Sequence, residues 1–500
     1  MKLENENSNQ QLMNDILWKV IETSRNVWEP FKYKDYILAI LFLKYLNDAW
    51  KEQCQMRQLG SGDDLNIMQN NMPMRRFVLP EQGAFDYIVG QKDEPDIGVR
   101  INKALQVVEE ANKPELEGVF RDIDFSKGTN SGLKKDRNNM LKALIEELGA
   151  LKFNFPPSSI DSKCLISNAY TQIVERFASN AGKKGDEFYT PTEVGRLLGK
   201  LLNPGPGNQI CDPVIGSGSL AIAVASEIGD CNFKIYGQES NRSTWALCKI
   251  NMFVHGISSA RIEYGDTLND PKLVRNNQLM QFDIVVARPS FSSNSWGADR
   301  ASEDQYQRFH RGISPKSKPD FAFISHMIEI AEPGHGRVGV IVPHGALFRG
   351  GSEGLIRRNL VDENLLDAVI GLPERLFYEA GIPAVILIFD KGKKTNDVLF
   401  INASKEFEQG KYQNKLAESH IEKIVKTFRE RLSLKKYSRN VTLQEIWDNE
   451  YNLNVSRYVN VFEDEQEIDA ITIEREIESI ERELQCVRAE MQQHLGKLSL

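Results

Sequence analysis

Four segments of this chain, each an apolar run ending in polar residues, carry side chains suited to holding a nucleoside. The first is Gln209–Leu220, QICDPVIGSGSL. Its apolar start is stopped by Asp212-Pro213, turns through Gly216, Ser217, Gly218 and Ser219, and runs into the helix-like LAIAVAS of Leu220–Ser226. Glycines let the backbone approach a ligand, and the first N–H groups of a helix are unpaired beside it. The second segment ends at Gly237-Gln238-Glu239, with its carboxylate 27 residues after Asp212, in the range where an acid grips ribose hydroxyls. The third ends at Gly265-Asp266-Thr267, an acid suited to an adenine amino group, and the fourth at Ala287-Arg288-Pro289-Ser290-Phe291. One acid at a strand end commonly caps a helix; four polar strand ends in series point to a shared nucleoside-containing ligand. The full G-x-G-x-x-G pattern and the G-K-[ST] phosphate loop are both missing, as is a magnesium carboxylate pair. A ribose with a cationic or zwitterionic tail therefore fits better than ATP or GTP.

The elements that must position these residues alternate regularly. Strands are expected at Gln209–Asp212, Phe233–Glu239, Arg261–Asp266, Phe282–Arg288, Gly336–Pro343, Leu365–Leu372 and Ala384–Lys391. Helical runs at Leu220–Ile228, Thr244–His255, Asp320–Ala331 and Gly351–Glu363 separate most of them, which predicts an α/β fold with a mostly parallel sheet covered on both faces. Only the short Pro373–Pro383 separates the last two strands, so the final one is expected to be antiparallel. Residues Gln10–Gly149 read as helical, with Tyr36–Trp50 a strongly apolar helix, Trp18, Trp28 and Trp50 in its core, and Gly60–Pro95 looping out. The cluster Lys134-Lys135-Asp136-Arg137 reads as solvated surface. His335 and His344 read as loop polar groups, and Arg357-Arg358 as complementing a helix dipole. Beyond Phe400 the chain reads as helical, and Ile473, Ile477, Ile480, Leu484, Val487 and Met491 form a coiled-coil seam spaced 4-3-4-3-4. That seam either packs on its own domain or awaits a partner helix.

Bulk properties narrow the class. Five hundred residues imply more than one domain, and the 41% hydrophobic, 26% charged composition is that of a folded protein. The longest apolar run, Tyr36–Leu43, is far shorter than the roughly 20 residues of a membrane helix, and the polar N-terminus has no signal-peptide core. The six cysteines include no C-x-x-C pair, which favours reduced thiols over disulfides or zinc, and the histidines make no metal spacing. Net charge is -8, but residues 463–500 hold 11 acidic against 4 basic side chains, so the remainder is nearly neutral and a local basic surface for DNA is allowed.

Taken with Glu187–Thr192 (EFYTPT), Asp212–Ser219 (DPVIGSGS), Gly237–Glu239 (GQE), Asn251–His255 (NMFVH), Gly265–Leu268 (GDTL), Asp283–Trp296 and Tyr451–Val459 (YNLNVSRYV), the chain resembles the modification (M) subunit of type I restriction–modification systems over nearly its whole length. These are DNA adenine-N6 methyltransferases using S-adenosylmethionine. The resemblance implies a Rossmann-like class I methyltransferase sheet at 166–400, a helical N-terminal domain at 1–165, and a C-terminal helical tail at 401–500. It implies that Glu187, Phe188, Tyr189, Thr190, Pro191 and Thr192 lie along the methionine end of the cofactor. Asp212 and Gly216, Ser217, Gly218 and Ser219 would flank its amino-acid part, Glu239 would hold the ribose and Asp266 would meet the adenine. It further implies double-stranded DNA as substrate, two copies of this subunit per specificity (S) subunit, a restriction (R) subunit as an optional partner, and a cytoplasmic bacterial or archaeal setting without membrane attachment.

One motif departs from the family. Asn-Pro-Pro-Phe (or Tyr) is replaced by Arg288, Pro289, Ser290 and Phe291. The target base must be flipped out of the duplex, and its amino N–H bonds must meet acceptors, normally the Asn oxygen and the carbonyl of the following proline. Arg has only donors. Ser290 also loosens the turn that aims Pro289. Turnover is therefore expected to be weak or absent; the competing reading has Arg288 swung out to a phosphate while another group serves as acceptor.

Overall fold

The computed structural model describes residues 33–59, 77–127, 134–150, 171, 175, 189–257, 259–290, 296–377, 383–410, 413–460 and 470–497. The strands are β1 Gln209–Asp212, β2 Lys234–Glu239, β3 Arg261–Tyr264, β4 Val274–Arg275, β5 Gln278–Leu279, β6 Ile284–Ala287, β7 Arg337–Pro343, β8 Leu366–Gly371, β9 Ala384–Asp390, β10 Asp397–Asn402 and β11 Ser438–Thr442. The helices are α1 Tyr33–Leu59, α2 Phe85–Gly90, α3 Ile97–Ala111, α4 Lys134–Ala150, α5 Thr192–Leu202, α6 Ser219–Ser226, α7 Arg242–Val254, α8 Asp320–Glu329, α9 Ser352–Asp362, α10 Glu418–Arg429, α11 Leu443–Asp448, α12 Val455–Tyr458 and α13 Ala470–Lys497.

Nine strands form one sheet in the order β11-β10-β8-β9-β7-β6-β1-β2-β3. Pairs β1–β2, β2–β3, β1–β6, β6–β7 and β8–β10 are parallel, while β9 runs antiparallel between β7 and β8. The chain moves outward from β1 to β3, then returns to place β6 on the other side of β1. That reversal opens a crevice at the carboxyl ends of β1 and β6, where ligands of such sheets sit. Because side chains alternate along a strand, Ile284 and Val286 of β6 join one core and Val285 and Ala287 the other. Helices α5, α6, α7 and α10 cover the first face; α8, α9 and α12 cover the second.

All seven strand expectations correspond to observed strands, and Ala384–Asp390 is antiparallel as expected. The sheet nevertheless continues past the expected boundary at residue 400. Strand β10 runs through it, and β11 pairs antiparallel with β10, correcting the helical reading of that stretch. Short strands at a sheet edge give little periodic signal in sequence. The hairpin β4–β5, turning through Asn276 and Asn277 at φ 52 and 61, is a further feature that periodicity does not mark.

The helical N-terminal part shares a core with the sheet. The ring of Phe42 in α1 meets that of Phe253 in α7 edge-on at 5.4 Å, and Ser243 Oγ donates to Asp35 Oδ2 at 2.7 Å. Trp50 is partly buried against this core, while Trp18 and Trp28 lie outside the described residues. Two readings need correction there. Phe77, Leu79, Phe85 and Ile88 are buried, so residues 77–90 are packed, not looped out. Arg137 is buried and donates to Ser126 O; the solvated reading fails because a guanidinium can satisfy a carbonyl inside the fold. Arg357 is also buried, in mid-helix, and donates to Tyr451 O at 2.7 Å and Ala346 O at 3.2 Å, which fastens the Tyr451–Val459 segment to α9. On α13, Ile477, Ile480, Leu484, Val487 and Met491 are 47–64% exposed, so those seam residues are not covered by their own domain; the side chain of Ile473 is outside the described set. No helix among the described residues is long and apolar enough to cross a membrane.

Candidate functional site

The loop after β1 is shaped by its proline and glycines. Pro213 offers no N–H to continue the strand, and Asp212 Oδ1 accepts from Val214 N at 3.0 Å, closing the first bend. Gly218 sits at φ 82 immediately before α6, and a Cβ there would fall 2.6 Å from Met252 Cε and 3.0 Å from Cys248 Sγ. Only a glycine meets both the backbone and the contact requirement. Asn251 Nδ2 holds the loop from behind through Ser217 O at 2.8 Å, and Thr267 Oγ1 donates to Pro213 O at 2.5 Å. The amino end of α6 thus opens at the crevice.

Neighbouring elements bring their acids to the same end. Glu239, finishing β2, accepts Gly216 N at 3.1 Å on Oε2 and Asn241 N at 2.7 Å on Oε1. Asp212 is 1% exposed, and its pKa is pushed up to about 8, first by burial and then by the Glu239 charge. The Val214 N–H and the Arg288 charge pull it down but do not compensate. Burial also raises the Glu239 carboxyl. Two neighbouring carboxyl groups, Asp212 buried and Glu239 half-buried, whose charged forms desolvation disfavours, suit a cationic ligand. Asn251 Oδ1, buried at the same loop, lacks a hydrogen-bond partner among the described residues.

Asp266 follows β3 and is exposed. Its Oδ1 accepts Leu268 N at 2.9 Å and Asn269 N at 3.2 Å, and its Oδ2 accepts Asn269 Nδ2 at 2.8 Å, so the acid builds its own turn. On the other side, Tyr189 and Thr190 are buried just before α5; Thr190 N donates to Ser219 Oγ at 3.3 Å, and Tyr189 OH lies 3.2 Å from Thr192 Oγ1. Pro191 is buried and Thr192 exposed, while Glu187, Phe188 and Phe291 lie outside the described residues.

Arg288 leaves β6 and turns inward. It is 7% exposed; Nε donates to Thr190 Oγ1 and Nη2 to Tyr189 O, both at 3.1 Å, and its Cζ lies 5.5 Å from the Phe377 ring centre. The guanidinium therefore bridges the fourth strand end to the 189–190 segment. Pro289 is buried beside it and Ser290 is half-buried. Of the residues singled out, Tyr189, Thr190, Asp212, Gly216, Ser217, Gly218, Ser219, Glu239 and Arg288 are brought to one region by these contacts, and Asp266 joins through Thr267 and Pro213. Asn251, Thr267 and Phe377 had no assigned role, although Asn251 and Thr267 lie in the NMFVH and GDTL motifs.

Comparisons with known proteins supply the family. The family model for N-6 DNA Methylase matches residues 161–467, and that for the HsdM N-terminal domain matches residues 13–148. The MpnII methylase subunit of Mycoplasma pneumoniae, a type I restriction enzyme component, is 27% identical over 95% of this chain and 94% of its own. The MjaVIII methylase subunit of Methanocaldococcus jannaschii is 32% identical over 89% of this chain and 78% of its own. The crystal structure of a type I restriction–modification methyltransferase subunit from Streptococcus thermophilus superimposes with a TM-score of 0.78 at 28% identity, covering 91% of this chain and all (100%) of that one. The chain belongs to the N-6 DNA methylase family, as a methylase subunit of the type I restriction–modification kind, whose cofactor is S-adenosylmethionine and which works with DNA and other subunits.

Proposed function

We propose that this chain seats S-adenosylmethionine at the carboxyl ends of β1, β2 and β3 and joins a complex that methylates adenine N6, with its own turnover weak or absent. The residues present suit that cofactor: buried Asp212 and half-buried Glu239, both carboxyls raised by desolvation, favour a ligand with positive charge, and Glu239 would meet the ribose hydroxyls. Tyr189, Thr190 and the loop Gly216–Ser219 would hold the amino-acid end together with Glu187 and Phe188, and the Asp266 turn would meet the adenine. When bound, the cofactor supplies an electrophilic methyl group.

The observation that carries the weak-turnover reading is the inward set of Arg288. Its two hydrogen bonds and its contact with Phe377 speak against a side chain swung out to a phosphate. A fixed cation then occupies the position from which an acceptor should face the target amine. Phe291 remains to stack on the base. On this reading the chain ranges from a slow methyltransferase to a silent subunit that binds cofactor and DNA for assembly.

We assign the α13 seam to helices of the S subunit, with two copies of this chain per S subunit, an optional R subunit, and a cytoplasmic setting. Labelled methyl transfer to DNA by the assembled complex tests the catalytic reading. Rapid multiple turnover by the native complex would sink it, and no transfer even in a single turnover would select the scaffold role.

A further inference from the structure

Among the described residues the most buried arginine is Arg308, 2% exposed, in the segment that follows the target-base motif. Its Nη1 donates to Thr267 O at 2.9 Å and its Nη2 to Leu268 O at 2.7 Å. These carbonyls belong to the turn whose N–H groups at Leu268 and Asn269 are gathered by Asp266. The guanidinium is held from its own side by Asp304, at 2.6 Å from Nη2 and 3.0 Å from Nε. His326 Nδ1 lies 3.3 Å from Nη1, and burial together with the Arg308 charge keeps its pKa well below the usual imidazole range, so it adds no second cation.

The same two segments meet twice more. Asn269 Nδ2 reaches both Asp266 Oδ2 at 2.8 Å and Trp296 O at 3.0 Å. Gly297, at φ 89, comes so close that a Cβ would fall 2.0 Å from Asn269 Oδ1. Leu268, Trp296, Phe309 and Ala322 bury a small apolar cluster beneath. Trp296 is only six residues beyond Ser290. The turn on the adenine side of the pocket and the chain leaving Arg288–Phe291 are therefore clamped together.

The geometry points to Arg308 as a positioning residue that locks the Asp266 turn to the target-base segment, coupling cofactor binding to engagement of DNA. This rests on the cofactor seat proposed above. Arg311 supplies the control: it is equally part of the segment but pairs with Glu363 at 2.7 Å and Glu329 at 2.6 Å, and among the described residues none of its bonds reach the turn. A lysine at 308 keeps the charge beside Asp304 but cannot serve two carbonyls and a carboxylate in one plane.

Calorimetry with S-adenosylmethionine on the full chain is the first test. Arg308→Lys is expected to raise Kd about tenfold, the effect of one or two lost hydrogen bonds. Arg311→Lys should leave it within about twofold, although both lower the melting temperature. An unchanged Kd for folded Arg308→Lys, or an equal rise for Arg311→Lys, overturns the inference. Should Arg308→Lys not fold, Asn269→Ala removes the amide that links Asp266 Oδ2 to Trp296 O, and it should still weaken cofactor binding severalfold; native affinity would count against the clamp. In the assembled complex, the factor by which cofactor tightens DNA binding should fall towards one in Arg308→Lys, as linkage requires. Equal factors in variant and native refute the coupling. A native chain that fails to bind cofactor would sink the cofactor seat itself, whereas native binding with no Arg308 effect sinks only the clamp.

Discussion

Replacing Arg288 by Asn together with Ser290→Pro should raise methyl transfer by about a hundredfold. The figure follows from what each side chain offers at that position. An acceptor aimed at charge developing in a transition state is worth about 3 kcal/mol, or roughly two orders of magnitude in rate. The substitution also removes two hydrogen bonds of 3.1 Å and the contact with Phe377. At about 1 kcal/mol for each such interaction, the double variant should be roughly 2–3 kcal/mol less stable than the native chain. More activity with less stability is the signature to look for. N6-methyladenine is measured by mass spectrometry in DNA from cells carrying the complex, a readout independent of the target sequence, and denaturant unfolding gives the stability. Arg288→Ala separates the two contributions, because it vacates the space without supplying an acceptor. If alanine restores as much transfer as asparagine, obstruction is the whole effect. If the native complex already methylates as fast as the double variant, the argument from Arg288 is wrong.

Three other outcomes are expected. Asp212 is protonated more readily in the folded chain, at about 8, than in the unfolded one near 3.8. The stability this gives is full below the unfolded value and is lost as pH rises through the folded one, at up to about 1.4 kcal/mol per pH unit. Denaturation profiles at pH 5 and pH 8 should therefore diverge for the native chain and much less for Asp212→Asn; parallel profiles would contradict the buried carboxyl. Gly218→Ala forces a side chain into φ 82 and against Met252 and Cys248, so it should cost about 1–3 kcal/mol and weaken cofactor binding, read by melting and calorimetry. Ile480→Glu with Leu484→Glu should leave the melting temperature of the isolated chain unchanged, because both side chains are exposed, yet abolish co-elution with the S subunit. A large drop in melting temperature would mean that the helix packs on its own domain.

Much of this fold was legible residue by residue because its signals are local. Alternating apolar runs marked seven of the nine strands of the central sheet, and Pro213 with Gly216 and Gly218 marked the ligand turn. The 4-3-4-3-4 seam likewise marked the final helix. Edge strand β11 was not legible, since Ser438–Thr442 has only Ser438 and Val441 buried and reads as polar chain. Arg137 and Arg357 look in sequence like surface charge; only the carbonyls they meet inside the fold make them structural.

The sequence by itself determined the family and the departure at Arg288, because residue identity and short spacing are enough for both. Tertiary structure decided the rest of the site. The placement of β6 beside β1 is what brings Arg288 near Asp212, and the inward direction of its side chain depends on Tyr189 and Thr190, which lie 99 and 98 residues away in the chain. Arg308 is the sharper case: nothing in its neighbours along the sequence marks it, and its role comes from two carbonyls 41 and 40 residues back. A hydrogen-bond partner supplied by a distant segment leaves no periodicity and no motif, so it exists only once the chain has folded.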